Sequence, residues 1–114
     1  MKGFSYAFLG LKHAFSSQIN FKFHSFTAIA AIAGGLYLGL SNSEWLWITA
    51  AIALVLIAEL FNTALEFLVD LVSPEYNVQA GKIKDLASAA VLISALFAFI
   101  VGLIIFIPKI SRLN

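Results

Sequence analysis

Long apolar runs alternate with short polar segments along the chain and predict three membrane-spanning helices. The runs cover residues 23–40, 45–72 and 86–107. A helix of about 18 residues just crosses a hydrocarbon core of roughly 30 Å, so each run is long enough to span a bilayer. The run 45–72 would be about 42 Å long as a helix. We therefore expect its C-terminal end, which holds the acidic residues, to emerge from the hydrocarbon.

The segment before these runs predicts an amphipathic N-terminal helix over residues 4–22. Its apolar positions follow i, i+4, i+7, i+11 spacing, which places them on one face of an α-helix; they are Phe4, Phe8, Leu11 and Phe15. The cationic and polar positions lie opposite. Such a helix tends to lie in the membrane interface, although an amphipathic helix docked on its own protein has the same pattern.

Polar segments separate the predicted spans. Ser41–Glu44 form a short turn, and Ser73–Pro74 end the second span because proline lacks an amide donor. A polar cytoplasmic loop is expected over residues 73–85, and Pro108 is expected to end the third span. Gly35 and Gly39 are expected to allow close helix packing.

Composition and charge narrow the class of protein. Hydrophobic residues make up 61% of the 114 residues and charged residues 11%, against about 25% in an average soluble domain. Mean hydropathy is +0.96, which excludes soluble, disordered and coiled-coil classes. The net charge of +1 gives no case for nucleic-acid binding, and there are no cysteines. Residues 1–114 are predicted to form a single integral membrane domain, all-α, with three transmembrane helices and the N-terminal interfacial helix.

The positions of lysine and arginine predict the orientation of this domain. Five lysines fall on one predicted side: Lys2, Lys12, Lys22, Lys82 and Lys84. Lys109 and Arg112 share the side of the Ser41–Glu44 turn. The excess of positive charge predicts a cytoplasmic N-terminus, with the acidic end of the second span in the cytoplasm.

The second span carries an acidic stripe on one helical face. At 100° per residue these side chains align: Glu59, Asn62, Thr63, Glu66 and Asp70. Ionisable groups at membrane depth mark a functional site by default; the structural alternative is pairing with lysines. Carboxylates beside an amide could form a proton path, a metal site or a general base beside a metal. A conduit is disfavoured because the first four turns after Trp45 offer only Thr49. The alternative of a non-catalytic packing or adaptor protein stays open here.

A second candidate site precedes the third span. Gly81 is followed by Lys82, Lys84 and Asp85, where helix amides and two cations suit phosphate groups. The same arrangement is also typical of a positive membrane anchor.

Three stretches of the sequence resemble the prokaryotic diacylglycerol kinase family. They are residues 58–70 (AELFNTALEFLVD), 73–76 (SPEY) and 80–92 (AGKIKDLASAAVL), and the resemblance covers nearly the whole chain. It implies a homotrimeric bacterial inner-membrane enzyme with ATP and magnesium. The implied reaction transfers the γ-phosphate of ATP to a membrane lipid alcohol, with diacylglycerol giving phosphatidic acid or undecaprenol as the alternative acceptor. No protein partner or nucleic acid is implied.

The resemblance also implies roles for individual residues. Glu59 matches the catalytic base that touches the lipid hydroxyl, and Ser88 begins the part of the third helix that borders the lipid. Glu66 matches a magnesium ligand that also contacts ATP, and Asn62 an orienting group. The further nucleotide contacts that the resemblance implies are Tyr6, Gln18, Glu75, Tyr76, Lys84 and Asp85.

One position departs from the family's pattern. Gln18 stands where the family usually has a second metal-ligating glutamate, so the number of metal ions is open. The stretch from Gln18 to His24 is more similar to the branch that phosphorylates undecaprenol than to the branch acting on diacylglycerol.

Overall fold

Four α-helices make up the part of the chain that this computed structural model describes, residues 2–113. They are α1 (Lys2–Ser17), α2 (Ile19–Leu38), α3 (Asn42–Val72) and α4 (Val78–Ser111). The helix α3 packs along most of its length against α4, and α2 packs mainly against α3. The described residues are therefore all-α, and the long hairpin of α3 and α4 is their main structural unit.

Short polar signals delimit the hairpin. The helix α2 ends at Gly39, whose backbone is left-handed at φ 71° and ψ 64°, a conformation that favours glycine. A capping box starts α3: the Ser41 hydroxyl accepts from the Glu44 amide, and the Glu44 carboxylate accepts from the Ser41 amide at 2.9 Å. At the start of α4, the Ala80 amide donates to Asn77 Oδ1 at 2.8 Å. These caps fix where both long helices begin.

The buried core lies near the Ser41–Glu44 turn, between α3 and α4. It consists of Leu40, Ile48, Ala51, Val101 and Ile105. Lys109 Nζ lies 3.1 Å from Glu44 Oε1, so the end of α4 and the beginning of α3 meet at the same end of the hairpin. Gly35 is also buried here, where a Cβ would come within 2.8 Å of Leu40 Cδ1 and Trp45 Cη2. Gly35 packs closely as expected, whereas no side chain approaches Gly39, which serves as the cap of α2 instead.

Large apolar side chains cover the outside of the long helices. Within residues 2–113, α3 and α4 are the two helices that are long and apolar enough to cross a membrane. Most of their apolar residues are exposed in the single chain, including Leu92, Ile93 and Phe99 on α4. A face of this kind needs lipid or other helices around it. The chain is therefore a membrane protein.

The predicted span at 23–40 is not confirmed. Its helix, α2, begins earlier and carries Asn20, Lys22 and His24 in its first two turns. The apolar part that remains, residues 26–38, would be about 20 Å long, short of a hydrocarbon core of roughly 30 Å.

The predicted helix 4–22 is wrong in its bounds because the chain breaks at Gln18. Gln18 is extended, at φ −114° and ψ 111°, between α1 and α2. The hydroxyls of Ser16 and Ser17 both donate to the carbonyl oxygen of His13, a local bonding pattern that competes with regular helix. On α1 itself only Ala14 is buried, so the stripe of Phe4, Phe8, Leu11 and Phe15 is not covered by the described part of the chain.

The third predicted helix, 86–107, is also longer in the structure. Its start moves from Leu86 to Val78, because Asn77 caps a helix eight residues earlier, and the loop predicted over 73–85 shortens accordingly. At the other end, Pro108 lies inside α4. Proline removes a single hydrogen bond, and the Arg112 amide donates to the Pro108 carbonyl oxygen at 3.2 Å, so the last turn still forms.

Candidate active site

The acidic stripe lies on the C-terminal half of α3, and its exposure changes along the helix. Glu59 is buried, with 3% of its surface exposed. Asn62 and Glu66 are partly buried and Asp70 is exposed. Residues spaced by three or four positions share a face of a helix, so the stripe leads from a buried carboxylate to an exposed one.

Glu59 contacts a histidine on the neighbouring helix. Its Oε1 lies 3.1 Å from Nε2 of His24 on α2. The two atoms lie at ion-pair distance, but their geometry is not that of a hydrogen bond. Oε1 has no hydrogen-bond partner within the described residues. A buried carboxylate without such partners is costly, which is typical of a group that serves chemistry more than packing.

Asn62 and Glu66 form the second part of the site. Asn62 Nδ2 donates to Glu66 Oε1 at 3.4 Å, and Asn62 Oδ1 is buried without a hydrogen-bond partner. Two hard oxygen ligands therefore lie one turn apart on α3. Within residues 2–113 no group of three or more histidine, aspartate or glutamate side chains could hold a metal by itself. The set fits magnesium that arrives with phosphate oxygens, because Mg2+ commonly takes one or two carboxylates together with substrate phosphates.

Asp70 and Lys84 connect the stripe to the second candidate site. Lys84 Nζ donates to Asp70 Oδ1 at 2.7 Å, across the turn that joins α3 and α4. The lysine pairing considered as a structural alternative thus applies to Asp70. It does not apply to Glu59, whose partner is His24.

The other predicted nucleotide contacts do not bond to the stripe. Tyr6, Glu75, Tyr76 and Asp85 are all exposed. Gln18 is partly buried in the break between α1 and α2, and its side chain does not cap α2. None of these five makes a side-chain hydrogen bond or ion pair to the stripe within residues 2–113.

An apolar cavity of about 670 Å³ opens between α2, α3 and α4. His24 and Phe23 line one end of it, and Phe106 and Ile110 line the other. Ser88, the predicted lipid contact, is exposed and is not among the lining residues. The cavity thus extends from the helix position that contacts Glu59 along the apolar faces of the three helices.

His24 is the site residue that the sequence did not reveal. The available signal was a histidine directly before the apolar stretch of α2. Helical periodicity relates residues within one helix only. It could not show that α2 and α3 cross at these two positions.

The fold and the site together define a small helical membrane protein with a buried carboxylate centre. The prokaryotic diacylglycerol kinase family matches residues 5–106. A diacylglycerol kinase of Synechocystis sp. is 40% identical over 111 residues, and an undecaprenol kinase of Bacillus subtilis is 37% identical over 109 residues. A diacylglycerol kinase of Escherichia coli is 30% identical over 100 residues.

These matches cover most of the chain. They include 96%, 96% and 88% of it, respectively. The chain spans 63% of the length of the Synechocystis relative, 89% of the Bacillus relative and 82% of the Escherichia relative. The chain belongs to the prokaryotic diacylglycerol kinase family, and its class of enzyme is that of the lipid kinases.

Proposed function

We propose that this lipid kinase transfers the γ-phosphate of ATP to the hydroxyl of a membrane lipid alcohol. The observation that carries the proposal is the buried carboxylate of Glu59, placed on an apolar helix beside His24. It lies one turn before the oxygen ligand of Asn62 and two turns before that of Glu66. A base at the edge of the hydrocarbon suits an acceptor whose hydroxyl is attached to an apolar body.

Glu59 acts as the general base in this proposal. The lipid oxygen attacks the γ-phosphorus while the hydroxyl proton passes to a Glu59 carboxylate oxygen, and the bond from the γ-phosphorus to the β–γ bridging oxygen breaks. The products are the phosphorylated lipid and ADP, and the proton later leaves Glu59 for water. Phosphoryl transfer depends mainly on positioning and on charge neutralisation, so the burial of Glu59 matters as much as its basicity.

Glu66 and Asn62 hold the phosphate end. The Glu66 carboxylate and the Asn62 Oδ1 are the candidate magnesium ligands on α3, and Gln18 is a neutral third candidate. Magnesium bound there with ATP would neutralise the charge of the β- and γ-phosphates. Lys84, which pairs with Asp70 one turn beyond Glu66 on α3, is the candidate phosphate contact.

The remaining nucleotide contacts are proposed from the resemblance to the family. They are Tyr6, Glu75, Tyr76 and Asp85, and their exposure leaves them accessible to a ligand from the aqueous side. Ser88 is proposed to face the lipid. A nucleotide from the aqueous side, bound by these exposed side chains, would meet an acceptor from the membrane at the acidic stripe.

Diacylglycerol, giving phosphatidic acid, is the first candidate acceptor. Undecaprenol is the second, and two observations favour it. The stretch from Gln18 to His24 is more similar to the undecaprenol branch, and the Bacillus relative that carries that name is covered over 89% of its length. Both acceptors present one hydroxyl on a large apolar body.

The enzyme is proposed to be a homotrimer of multi-pass subunits in the bacterial inner membrane, with a cytoplasmic N-terminus. Five lysines on the predicted cytoplasmic side support this orientation. We propose α2 as the third span, its short apolar part being accommodated by local thinning of the bilayer and by Lys22 reaching the interface, and α1 in the interface. One chain leaves the outer faces of α2 and α3 uncovered, and polar groups at membrane depth usually face other helices. Cross-linking in mild detergent should give trimers, and only monomers would contradict this assembly.

The function is tested by transfer of labelled γ-phosphate in detergent micelles. Diacylglycerol and undecaprenol are offered side by side to the wild-type chain and to Glu59→Gln. We expect transfer to one of the two lipids and a loss of about a hundredfold or more in Glu59→Gln, as for removal of a general base. Binding of a non-hydrolysable ATP analogue should stay within a few-fold of the wild type, because the base acts on the acceptor hydroxyl. Absence of transfer to either lipid by the folded oligomer would refute the proposal.

A further inference from the structure

His24 is the polar side chain of α2 that contacts Glu59. The distance of 3.1 Å between His24 Nε2 and Glu59 Oε1 is the one polar side-chain contact between α2 and α3 within residues 2–113. Glu59 has 4% of its side chain exposed and His24 has 20%. The histidine thus closes the buried side of the carboxylate while keeping access to the neighbouring cavity, which it lines.

We propose that His24 is a positioning residue, which holds Glu59 Oε1 through its Nε2 so that Oε2 is turned toward the lipid hydroxyl. This inference rests on the proposed role of Glu59 as the base. His24 accepts no proton from the lipid in this scheme. It fixes which carboxylate oxygen does.

The need for such a residue follows from the surroundings of Glu59. A carboxylate that is buried and without a hydrogen bond on Oε1 has no local reason to keep one rotamer. A general base must lie within hydrogen-bond reach of the proton it takes. A misplacement of about 1 Å can cost roughly a hundredfold in rate.

The present geometry of the pair suits a free enzyme. The Nε2–Oε1 distance already lies within hydrogen-bond range, although the direction does not. Catalytic hydrogen bonds are often poorly aligned before the substrate binds and become shorter and straighter in the complex. A lipid whose hydrocarbon part fills the apolar cavity that His24 lines would restrict the His24 side chain and so favour alignment of the pair.

The alternative is that His24 only fills space between the helices. Two substitutions separate the roles. His24→Leu keeps the volume approximately and removes the donor, whereas His24→Gln keeps an amide nitrogen near the position of Nε2. Because the chain contains two histidines, His13→Leu on the exposed face of α1 is the matched control.

The first measurement compares turnover with binding in the full-length oligomer. We expect His24→Leu to lower kcat for the lipid about tenfold to a hundredfold, with analogue binding within twofold of the wild type. His24→Gln should recover most of that loss, and His13→Leu should match the wild type. The double variant His24→Leu/Glu59→Gln should be no slower than Glu59→Gln alone, because a positioning residue has nothing left to position.

Two kinetic results would overturn the inference. One is full turnover by His24→Leu; the other is a double variant slower than Glu59→Gln by the same factor as His24→Leu is slower than the wild type. Both differ from failure of the proposed function, in which Glu59→Gln itself keeps its turnover.

A second measurement stays valid if His24→Leu does not fold. In the His13→Leu background, His24 is the single histidine, so its imidazole nitrogen signals in NMR are assigned without further work. Adding Glu59→Gln should shift the Nε2 signal. Adding Glu75→Gln should not, because Glu75 is an exposed acid on the connecting turn. An Nε2 signal that ignores Glu59→Gln would show that the two groups do not interact in the membrane enzyme and would overturn the inference.

Discussion

Lys84 donates to Asp70 across the turn between α3 and α4, at 2.7 Å from Nζ to Oδ1. Both side chains are well exposed, at 40% and 62%. Exposed ion pairs contribute about 0–1 kcal/mol to stability, so this contact does not hold the hairpin together. Its consequence is local. The pair keeps the Lys84 ammonium group at the exposed end of the acidic stripe, where the ammonium group can leave Asp70 and bind a phosphate group.

Lys84→Met should weaken binding of the magnesium complex of an ATP analogue. A hydrogen bond to a charged group is worth roughly 1.5–3 kcal/mol, so we expect a loss of about tenfold to a hundredfold in affinity. The melting temperature in detergent should change little, because the pair with Asp70 is exposed. Equilibrium binding and thermal unfolding are measured on the same preparations.

Lys82→Met is the matched control for that experiment. Lys82 lies two residues away, is exposed and makes no ion pair within residues 2–113. The Lys82→Met variant removes the same charge and should reduce the affinity for the ATP analogue by a few-fold at most. Equal losses in the two variants would mean that the nucleotide senses only the general charge of this end of the molecule.

The helices could be predicted from the sequence because apolar runs and proline or glycine signals are local. Their boundaries could not, because these depend on capping side chains. Asn77 starts α4 eight residues before the predicted span, since a capping side chain within a polar segment looks like any loop residue. Pro108 was expected to end a helix that continues to Ser111. Both errors come from judging a boundary without its hydrogen bonds.

The acidic stripe was predictable for the same reason, since it repeats within one helix. The contact of His24 with Glu59 was not, because it depends on how α2 crosses α3. The positions of Gln18 and Tyr6 relative to the stripe depend on a further crossing, that of α1. Sequence patterns therefore give the members of a face more readily than the partners opposite it.

Gly35→Ala should destabilise the protein, and Gly34→Ala should not. A Cβ on Gly35 would come within 2.8 Å of Leu40 and Trp45, so these side chains have to move. Overpacking of this kind costs typically 1–3 kcal/mol. A Cβ on Gly34 meets Phe106 at an ordinary 3.7 Å, and alanine favours helix over glycine by up to about 1 kcal/mol.

Unfolding in detergent measures this pair of variants. Both remove one glycine from α2 and add one methyl group, so any general effect of helix propensity is shared. Equal stability of the two variants would show that Trp45 and Leu40 can move aside freely.

Ser41→Ala and Asn77→Ala should separate stability from function. Each removes a helix-capping acceptor and should cost about 1 kcal/mol. Ser41 lies about 27 Å from Glu59 along α3, so turnover per folded molecule should stay at the wild-type level. Asn77 caps the helix that carries Lys84 and Asp85, so Asn77→Ala should also raise KM for ATP. If Ser41→Ala raised it equally, the effect would come from lower stability alone.

Gln18→Glu should increase the affinity for magnesium. The resemblance to the family implies that Gln18 occupies the position of a second metal-ligating glutamate, and carboxylates bind Mg2+ better than neutral amides because charge adds to coordination by hard oxygen. The concentration of magnesium at half-maximal activity should therefore fall. Ser17→Glu adds the same charge at the neighbouring exposed position and should leave it nearly unchanged.

Combination with Glu66→Gln shows whether Gln18 and Glu66 serve the same metal. Glu66→Gln alone should raise the magnesium concentration at half-maximal activity by about tenfold or more, as for loss of a metal-site carboxylate. If both side chains approach one ion, Gln18→Glu should restore part of that loss, because one carboxylate again faces the metal. If they serve different ions, the effect of Gln18→Glu should be the same with and without Glu66→Gln. No effect of Gln18→Glu in either background would place residue 18 away from the metal, and the break between α1 and α2 would then have a structural role only.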